Sequence, residues 1–274
     1  MTERPIVLKL GGELLEGAGR TRALAAAIAR AAASAPLVVV HGGGREIDAA
    51  LAKAGIPTRQ VDGIRVTDQP TLDTVVAVLA GAINTRVVAA INAAGGEAVG
   101  LTGADAAVAP LDPMPEFRSA AGEMVSPGLV GQPRHDGAPR LVSHLIAGGY
   151  VPVVATIGAG AGGALLNVNA DTMAAALAVR LGASRLLIAG TTAGVLDGSG
   201  ETIAALDEAT ERALAAADRI SRGMLAKLQA CRAALAGGVG DVAIADGRDA
   251  AQLAHALLDG AGVHGAHGAQ TRVV

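Results

Sequence analysis

The chain has 274 residues, of which 51% are hydrophobic and 17% charged, and its formal net charge is −3. This size and apolar content suit one large domain or two small ones with a substantial core. The mild charge, without a long run of one sign, disfavours a general nucleic-acid or anionic-membrane surface, so we expect neither as a partner. The single cysteine, Cys231, excludes an intrachain disulfide and agrees with a cytoplasmic location.

The sequence shows no export signal, because charged residues stand where a signal peptide has its apolar segment. Residues 141–170 contain no Asp, Glu, Lys or Arg, but Pro152 and several glycines interrupt them. A bilayer-spanning helix needs roughly 20 mainly apolar residues without such breakers. A helix, a buried strand and a glycine loop in succession explain this stretch better.

Short apolar runs alternate with longer alanine-rich stretches along the chain. The runs predict strands at residues 5–10, 36–40, 98–101, 150–157, 184–189 and 242–245. The stretches between them predict helices at 20–34, 47–54, 71–94, 142–147, 171–181, 206–216, 224–236 and 250–258. Uninterrupted apolar strands separated by helices predict an α/β fold with a mostly parallel sheet covered on both faces.

Two segments are less regular. Residues 104–139 hold most of the prolines and predict a β-hairpin excursion or a lid, since long irregular segments in compact domains are often functional. Residues 260–270 predict a loop, and residues 271–274 a possible edge strand. His255, His264 and His267 lack ligand-like partners in the sequence, so we predict no structural zinc.

Two glycine-rich turns follow early strands, Gly11-Gly12 after Lys9-Leu10 and the three glycines after His41. Backbone N–H groups in such turns can point at an anion without obstruction by a Cβ atom. Glycine also ends many strands for steric reasons, and neither turn has the Walker or the Rossmann pattern. Lys9 is the sharper signal, because a lysine inside an apolar strand is out of place unless it snorkels to water from a strand edge. We interpret His41 as a scaffold residue.

Two further features gain meaning only in combination. Asn167 to Asp171 lead into a predicted helix, where Asn169 or Asp171 alone would be explained as a helix cap. Lys227, near the start of a later predicted helix, would alone be explained as a solvated residue. We interpret Cys231, in an alanine-rich stretch, as a small packed hydrophobe.

Seven collinear motifs cover nearly the whole chain: VLKLGG at 7–12, HGGG at 41–44, GIRVT at 63–67, GEAVGL at 96–101, NVNAD at 167–171, GVLDG at 194–198 and GMLAK at 223–227. Together they resemble the motifs of the bacterial acetylglutamate kinases in the amino acid kinase family. The resemblance implies an open three-layer α/β/α sandwich. It also implies an N-terminal lobe for the acyl amino acid, residues 1–180, and a C-terminal lobe for ATP, residues 181–274.

The resemblance also implies roles for particular residues. Lys9 and Lys227 would stabilise charge on the transferring phosphoryl group, and Asp171 would hold their ammonium groups in place. Phosphoryl oxygens would accept from the backbone of Gly11, Gly12 and Gly44, and the acetylated amino acid would be held by Gly43, Gly44, Arg65 and Asn167. ATP would contact Thr191, Thr192, Ala193, Gly194, Val195, Leu196, Arg219, Ile220 and Ser221. The family usually has an Asp-Val-Ser-Gly type segment in this loop, and Thr191 here replaces its acidic residue.

The implied reaction moves the γ-phosphoryl group of ATP, brought in with Mg²⁺, to the side-chain carboxylate of N-acetyl-L-glutamate, in arginine biosynthesis. A carboxylate with a reference pKa of about 4.3 is already ionised at neutral pH and needs no general base. Positioning and charge neutralisation then dominate catalysis. We therefore expect direct in-line transfer, no phosphoenzyme and no protein-bound metal.

Other functions remain open at this point. Sister kinases acting on carbamate, aspartate, free glutamate or carrier-linked aminoadipate share the fold, although Arg65 with Asn167 favours a small free substrate. A non-catalytic sensor on the same fold should lack Lys9, Asp171 or Lys227, and all three are present. A third alternative is a nicotinamide-dependent oxidoreductase on a glycine-rich α/β sheet, and binding of NADH but not ATP would favour it. In the family that the chain resembles, arginine-sensitive members carry an extra N-terminal helix ahead of the first strand. Only residues 1–4 precede that strand here, so the resemblance implies an arginine-insensitive homodimer.

Overall fold

The computed structural model describes residues 3–258 and 270–274. The loop predicted at 260–270 lies outside the described residues apart from Gln270, as do His264 and His267. Gln270 itself begins a strand.

The centre of the fold is an eight-stranded sheet. Its strands lie in the spatial order β14 (Ala205–Leu206), β16 (Gln270–Val273), β15 (Asp241–Asp246), β13 (Arg185–Gly190), β1 (Ile6–Leu10), β2 (Leu37–His41), β10 (Val151–Ala155) and β5 (Ala98–Thr102). The six strands from β15 to β5 are mutually parallel. β16 runs antiparallel to β15, and β14 is parallel to β16. The prediction of a mostly parallel sheet is confirmed.

Helices cover both faces of the sheet, because its strands are apolar on both sides. On one face, Leu8 and Leu10 of β1 pack in a core with α1 (Ala18–Ala32), α2 (Gly44–Lys53), α3 (Gln69–Val76), α4 (Asn84–Ala93) and α9 (Ala250–Leu258). On the other face, Val7 packs in a core with α5 (Arg140–Ala147), α6 (Ala170–Arg180) and α8 (Arg222–Ala236). α7 (Glu208–Ala216) adds a partly buried Leu214 to this second core. The predicted three-layer α/β/α sandwich is confirmed.

The helix predicted at 71–94 is continuous from Gln69 to Ala93, with a π-helical segment, Ala77–Ile83, between α3 and α4. By length and composition this span is apolar enough to cross a membrane. Its residues Val75, Leu79, Ile83, Val87 and Ile91 are buried in the first core. The span therefore packs one face against the core, and 39% of its most apolar 18-residue window is buried.

Four small antiparallel pairs lie outside the main sheet: β3 (Gln60–Val61) with β4 (Ile64–Arg65), β6 (Leu111–Pro113) with β9 (Gly131–Pro133), β7 (Phe117–Arg118) with β8 (Met124–Val125), and β11 (Ile157–Ala159) with β12 (Leu165–Asn167). Strands β6 to β9 form a nested hairpin, as predicted for residues 104–139. We call residues 104–139 the excursion. A role as a lid stays a prediction.

Some predicted elements were wrong in detail. The strand predicted at 150–157 ends at Ala155, and residues 157–159 turn away to pair with β12. At Gly158 the backbone passes close to the excursion, where a Cβ atom would lie 2.7 Å from the carbonyl oxygen of Ala109. The strand predicted at the sheet edge, β16, is covered by β14, which the sequence did not predict.

Candidate active site

The candidate site lies at the carboxyl ends of the parallel strands, where open α/β sheets bind their ligands. Lys9 comes near the end of β1, between Leu8 and Leu10, which point into the first core. Side chains alternate along a strand, so Lys9 projects from the opposite face, the one that α6 covers. Its side chain is only 7% exposed, which excludes a lysine that snorkels to water at a sheet edge.

Asp171 lies between two ammonium groups. Its Oδ1 is 2.8 Å from Nζ of Lys9 and its Oδ2 is 3.6 Å from Nζ of Lys227. The Lys227 side chain, from α8, is 21% exposed and passes Gly190 at the end of β13. Three segments far apart in sequence therefore bring two positive charges to one carboxylate.

The capping of α6 leaves Asp171 available for this arrangement. Asn169 is the N-cap, and its Oδ1 accepts hydrogen bonds from the N–H groups of Asp171 and Thr172 at 2.9 and 3.1 Å. Asp171 follows in the first turn, where the helix dipole favours a negative charge. Burial opposes its ionisation, but Lys9 and Lys227 outweigh burial and hold the pKa of Asp171 below its ordinary value.

The two glycine turns touch each other beside Lys9. A Cβ atom on Gly12 would lie 2.7 Å from Cα of Gly43, and one on Gly43 would collide with Ile83 and lie 2.9 Å from Cδ2 of Leu79. Gly44, the first residue of α2, has open space around it. Within residues 3–258 and 270–274, no acceptor takes the N–H of Gly12, Gly43 or Gly44.

Gly11 differs from these three glycines. Its N–H donates to the carbonyl oxygen of Ala189 in β13 at 2.9 Å. This bond continues the pairing of β1 with β13 by one residue. Sequence reasoning assigned the N–H of Gly11 to phosphoryl oxygens, but this N–H already donates to the neighbouring strand.

Arg65 ends the β3–β4 hairpin with its side chain buried, 8% exposed. One guanidinium nitrogen lies 2.7 Å from Oδ1 of Asp48 in α2, and another donates to the carbonyl oxygen of Gly44 at 3.5 Å. These contacts orient the guanidinium beside the second glycine turn. Asp48 is a partner that sequence reasoning missed.

Asn167, at the end of β12, meets the same hairpin from the other side. Its Nδ2 donates to the hydroxyl of Thr67 at 3.3 Å, and this hydroxyl donates to the carbonyl oxygen of Arg65 at 2.7 Å. The backbone N–H of Asn167 donates to the carbonyl oxygen of Leu129 in the excursion. The hairpin, the excursion and β12 are thus bonded together.

One cavity of about 560 Å³ joins these groups. Of the predicted residues, those that line it are Lys9, Gly12, Gly43, Gly44, Arg65, Asn167 and Asp171. Gly11, Lys227 and the predicted nucleotide residues do not line it. The excursion contributes Met114, Gln132 and His135, which sequence reasoning did not assign.

The predicted nucleotide residues belong to two segments, one directly after β13 and one directly before α8. The side chain of Arg219 donates to the carbonyl oxygen of Gly198, two residues beyond the first segment, at 3.2 Å. Ser221 caps α8 by accepting from the N–H of Met224. Val195 is buried, its N–H donates to Thr271, and its carbonyl accepts from Ile203. Gly194 and Ile220 are buried as well. The exposed or partly exposed members are Thr191, Thr192, Ala193, Leu196, Arg219 and Ser221.

Neither His41 nor Cys231 offers reactive chemistry. His41 is fully buried, with Nδ1 next to the carbonyl oxygen of Gly42 and Nε2 next to the side-chain amide of Asn84. Burial lowers the pKa of His41 to about 4, so the ring is neutral near pH 7. Burial raises the pKa of the Cys231 thiol, which packs in the second core.

The sequence profile of the amino acid kinase family matches residues 4–246. The chain belongs to this family. Two bacterial relatives named acetylglutamate kinase are each 42% identical to it. The Acidiphilium cryptum protein matches 81% of this chain and 74% of its own length, and the Sorangium cellulosum protein matches 86% and 84%.

Solved structures show the same fold. An N-acetylglutamate synthase from Neisseria gonorrhoeae, complexed with coenzyme A and N-acetyl-glutamate, superposes with a TM-score of 0.82 at 24% identity. The match covers 100% of the present chain and 60% of the synthase. Giardia carbamate kinase superposes with a TM-score of 0.66 at 16% identity, covering 100% of this chain and 99% of that one.

Proposed function

We propose that this amino acid kinase transfers the γ-phosphoryl group of ATP to the side-chain carboxylate of N-acetyl-L-glutamate, giving N-acetylglutamyl 5-phosphate in arginine biosynthesis. The observation that carries the proposal is Asp171 between Lys9 and Lys227, beside a cavity that also holds Arg65 and Asn167. The relatives named acetylglutamate kinase, about 40% identical over most of the chain, support the choice of substrate.

Lys9 and Lys227 supply positive charge that balances the negative charge spread over the oxygens of the transferring phosphoryl group. The negative charge of Asp171 offsets the repulsion between the two ammonium groups, and its two oxygens orient the lysine side chains. Because the charges are already oriented, little reorganisation is needed at the moment of transfer. The free N–H groups of Gly12 and Gly44 add donors to phosphoryl oxygens.

The acceptor needs no base. An oxygen of the ionised carboxylate attacks the γ-phosphorus, the bond from that phosphorus to the bridging oxygen breaks, and ADP leaves with the electron pair. No proton moves, and His41, buried and neutral, takes no part. Arg65 and Asn167 hold the acetylated amino acid so that attack is in line.

Mg²⁺ fits this site as an ion bound mainly by ATP. Both oxygens of Asp171 face ammonium groups, which leaves them unsuited to a metal. Glu13 lines the cavity, and its carboxylate has no hydrogen-bond or ion partner among the described residues, so it is the side chain we assign to contact the ATP-bound ion through water. When bound, Mg²⁺ neutralises phosphate charge and orients the phosphates.

We further propose that residues 1–180 carry the acyl substrate and residues 181–274 the nucleotide, and that the enzyme is a cytoplasmic, arginine-insensitive homodimer. β13 of the nucleotide part pairs directly with β1 of the substrate part. The two proposed sites therefore adjoin each other at the carboxyl ends of neighbouring strands. Sedimentation of the purified protein, with and without arginine, tests the oligomeric state.

The deciding experiment is an ADP-release assay with N-acetylglutamate, glutamate, aspartate, carbamate and aminoadipate, each with Mg²⁺-ATP. Turnover with N-acetylglutamate alone is the expected result. Turnover with a different acid identifies a sister kinase, and ATP or acid binding without turnover identifies a sensor. A covalently labelled protein after a chase with radioactive ATP would overturn direct transfer.

A further inference from the structure

Thr67 is the only hydroxyl among the described residues that contacts both Asn167 and the backbone of Arg65. It is fully buried and follows β4 by two positions. Its backbone is bonded to the excursion on both sides, since its N–H donates to Pro127 and its carbonyl accepts from Leu129. Thr67 is the last residue of the GIRVT motif, but sequence reasoning assigned it no role and it does not line the cavity.

The hydroxyl of Thr67 has one hydrogen, which it donates in a hydrogen bond to the carbonyl oxygen of Arg65 at 2.7 Å. Toward Asn167 the hydroxyl oxygen can therefore only accept. The amide of Asn167 must then turn its NH₂ group to Thr67, because the opposite orientation would set two acceptors against each other. Thr67 thus selects one of the two orientations of the Asn167 amide.

We propose that Thr67 is a positioning residue for substrate binding, which fixes the orientation of the Asn167 amide and ties it to the backbone of Arg65. One N–H of the Asn167 amide donates to Thr67. The second N–H and Oδ1 then face a ligand in one fixed orientation. Arg65 is held at the other end of the same chain of bonds. The inference rests on the proposed function, which assigns Arg65 and Asn167 to the acid.

Gly128 shows how closely the backbone of the excursion approaches Thr67. It lies between the two excursion residues that bond to Thr67 and has a φ of +73°. A Cβ atom there would collide with the carbonyl oxygen of Thr67. The excursion therefore closes onto Thr67 at a position that requires glycine.

The test compares Thr67→Val, which keeps the shape and loses the hydroxyl, with Thr67→Ser, which keeps the hydroxyl. We expect Thr67→Val to raise KM for the acid about tenfold, with KM for ATP nearly unchanged, since the partly buried amide of Asn167 loses its acceptor. Thr67→Ser should restore most of the affinity. Thr21→Val is the matched control: Thr21 is also buried and donates to backbone carbonyls, but away from the cavity.

A double-mutant cycle with Asn167→Ala separates positioning from general loosening. If Thr67 acts through Asn167, Thr67→Val should add little to KM in the Asn167→Ala background. Equal KM values for the Val and Ser variants, or full additivity in the cycle, would overturn the inference.

The acid used in these measurements is the one that the ADP-release panel identifies. A panel result other than N-acetylglutamate overturns the proposed function, while the Thr67 comparison is still made with the acid that is turned over. Should Thr67→Val fold poorly, Thr67→Ala replaces it as the variant without a hydroxyl. Calorimetry at low temperature then compares how tightly Thr67→Ala and Thr67→Ser bind the acid.

Discussion

Asp62 and Arg222 form an ion pair between two elements 160 positions apart in sequence, with Oδ1 of Asp62 3.1 Å from Nη1 of Arg222. Asp62 is the turn of the β3–β4 hairpin, at a φ of +50°, and its other oxygen accepts from the N–H of Ala120 in the excursion. Arg222 is the first residue of α8, the helix that carries Lys227. The pair joins the proposed acid-binding hairpin to the proposed nucleotide part.

We predict that Arg222→Gln raises KM for the acid a few-fold and changes the free energy of unfolding little, because an exposed ion pair contributes about 0.2–1 kcal/mol. The Arg222 side chain is 72% exposed, so salt should screen the pair. Kinetics at low and high ionic strength should show the variant and the wild type converging as salt rises. Arg212→Gln, which removes the exposed pair with Glu208, is the control and should behave like the wild type.

Lys9 and Lys227 should affect turnover far more than binding. Replacing either with Met removes a preorganised positive charge, and loss of one such group typically lowers kcat by about 100-fold or more. Lys53→Met makes the same change on the exposed side of α2 and should leave kcat unchanged. Steady-state kinetics with circular dichroism as a folding check decides the matter. A kcat within tenfold of wild type for both variants would contradict the proposed roles.

His41 should make the fold sensitive to acid. Its pKa falls from 6.5 to about 4 on folding, so between these values the unfolded chain binds a proton that the folded chain does not. Stability from this group is therefore complete above pH 6.5 and is lost as pH falls toward 4, by about 3 kcal/mol.

We predict that His41→Asn flattens the dependence of the unfolding free energy on pH between 7 and 4. Urea unfolding at several pH values measures the slope for each protein. His255→Asn, which removes an exposed ring in α9, is the control for the loss of a histidine outside the core. Parallel curves for wild type and His41→Asn would show that burial of this ring does not cause the acid sensitivity.

The contact between the glycine turns predicts different outcomes for two similar changes. Gly12→Ala should destabilise the protein by about 1–3 kcal/mol and abolish most activity, because the new methyl group meets the backbone of Gly43. Gly44→Ala has open space and should fold with nearly wild-type stability. Thermal unfolding of the two variants compares them directly, and equal melting temperatures would count against the close approach.

Several features could be predicted from sequence because they depend on local chemistry. A lysine in an apolar strand before glycines pointed to Lys9, and the polar run before a helix pointed to Asn167 and Asp171. The period of the apolar residues was enough for the main strands and helices. Short pairs such as β3–β4 and β11–β12 escaped, since two or three residues carry no measurable period.

The remaining features depend on which distant groups meet. Arg65 looks like a free cation in sequence, yet Asp48 already pairs with it. Gly11 looks like Gly12, but its N–H is used by Ala189. Val195 fits the nucleotide motif and is nevertheless buried with its backbone bonded to Thr271 and Ile203. Hydrogen-bond partners and burial are set by the packed fold, so no local pattern reveals them.

The backbone contact between Gly12 and Gly43 also bears on how such a site can diverge. A single added carbon at either position meets main-chain or core atoms, so neither Gly12 nor Gly43 can acquire a side chain in one step. Evolutionary change at this cavity is therefore easier at the side chains that the excursion contributes to its lining, Met114, Gln132 and His135. New acceptor preferences in proteins built this way should arise from the excursion, while Gly12 and Gly43 remain glycine.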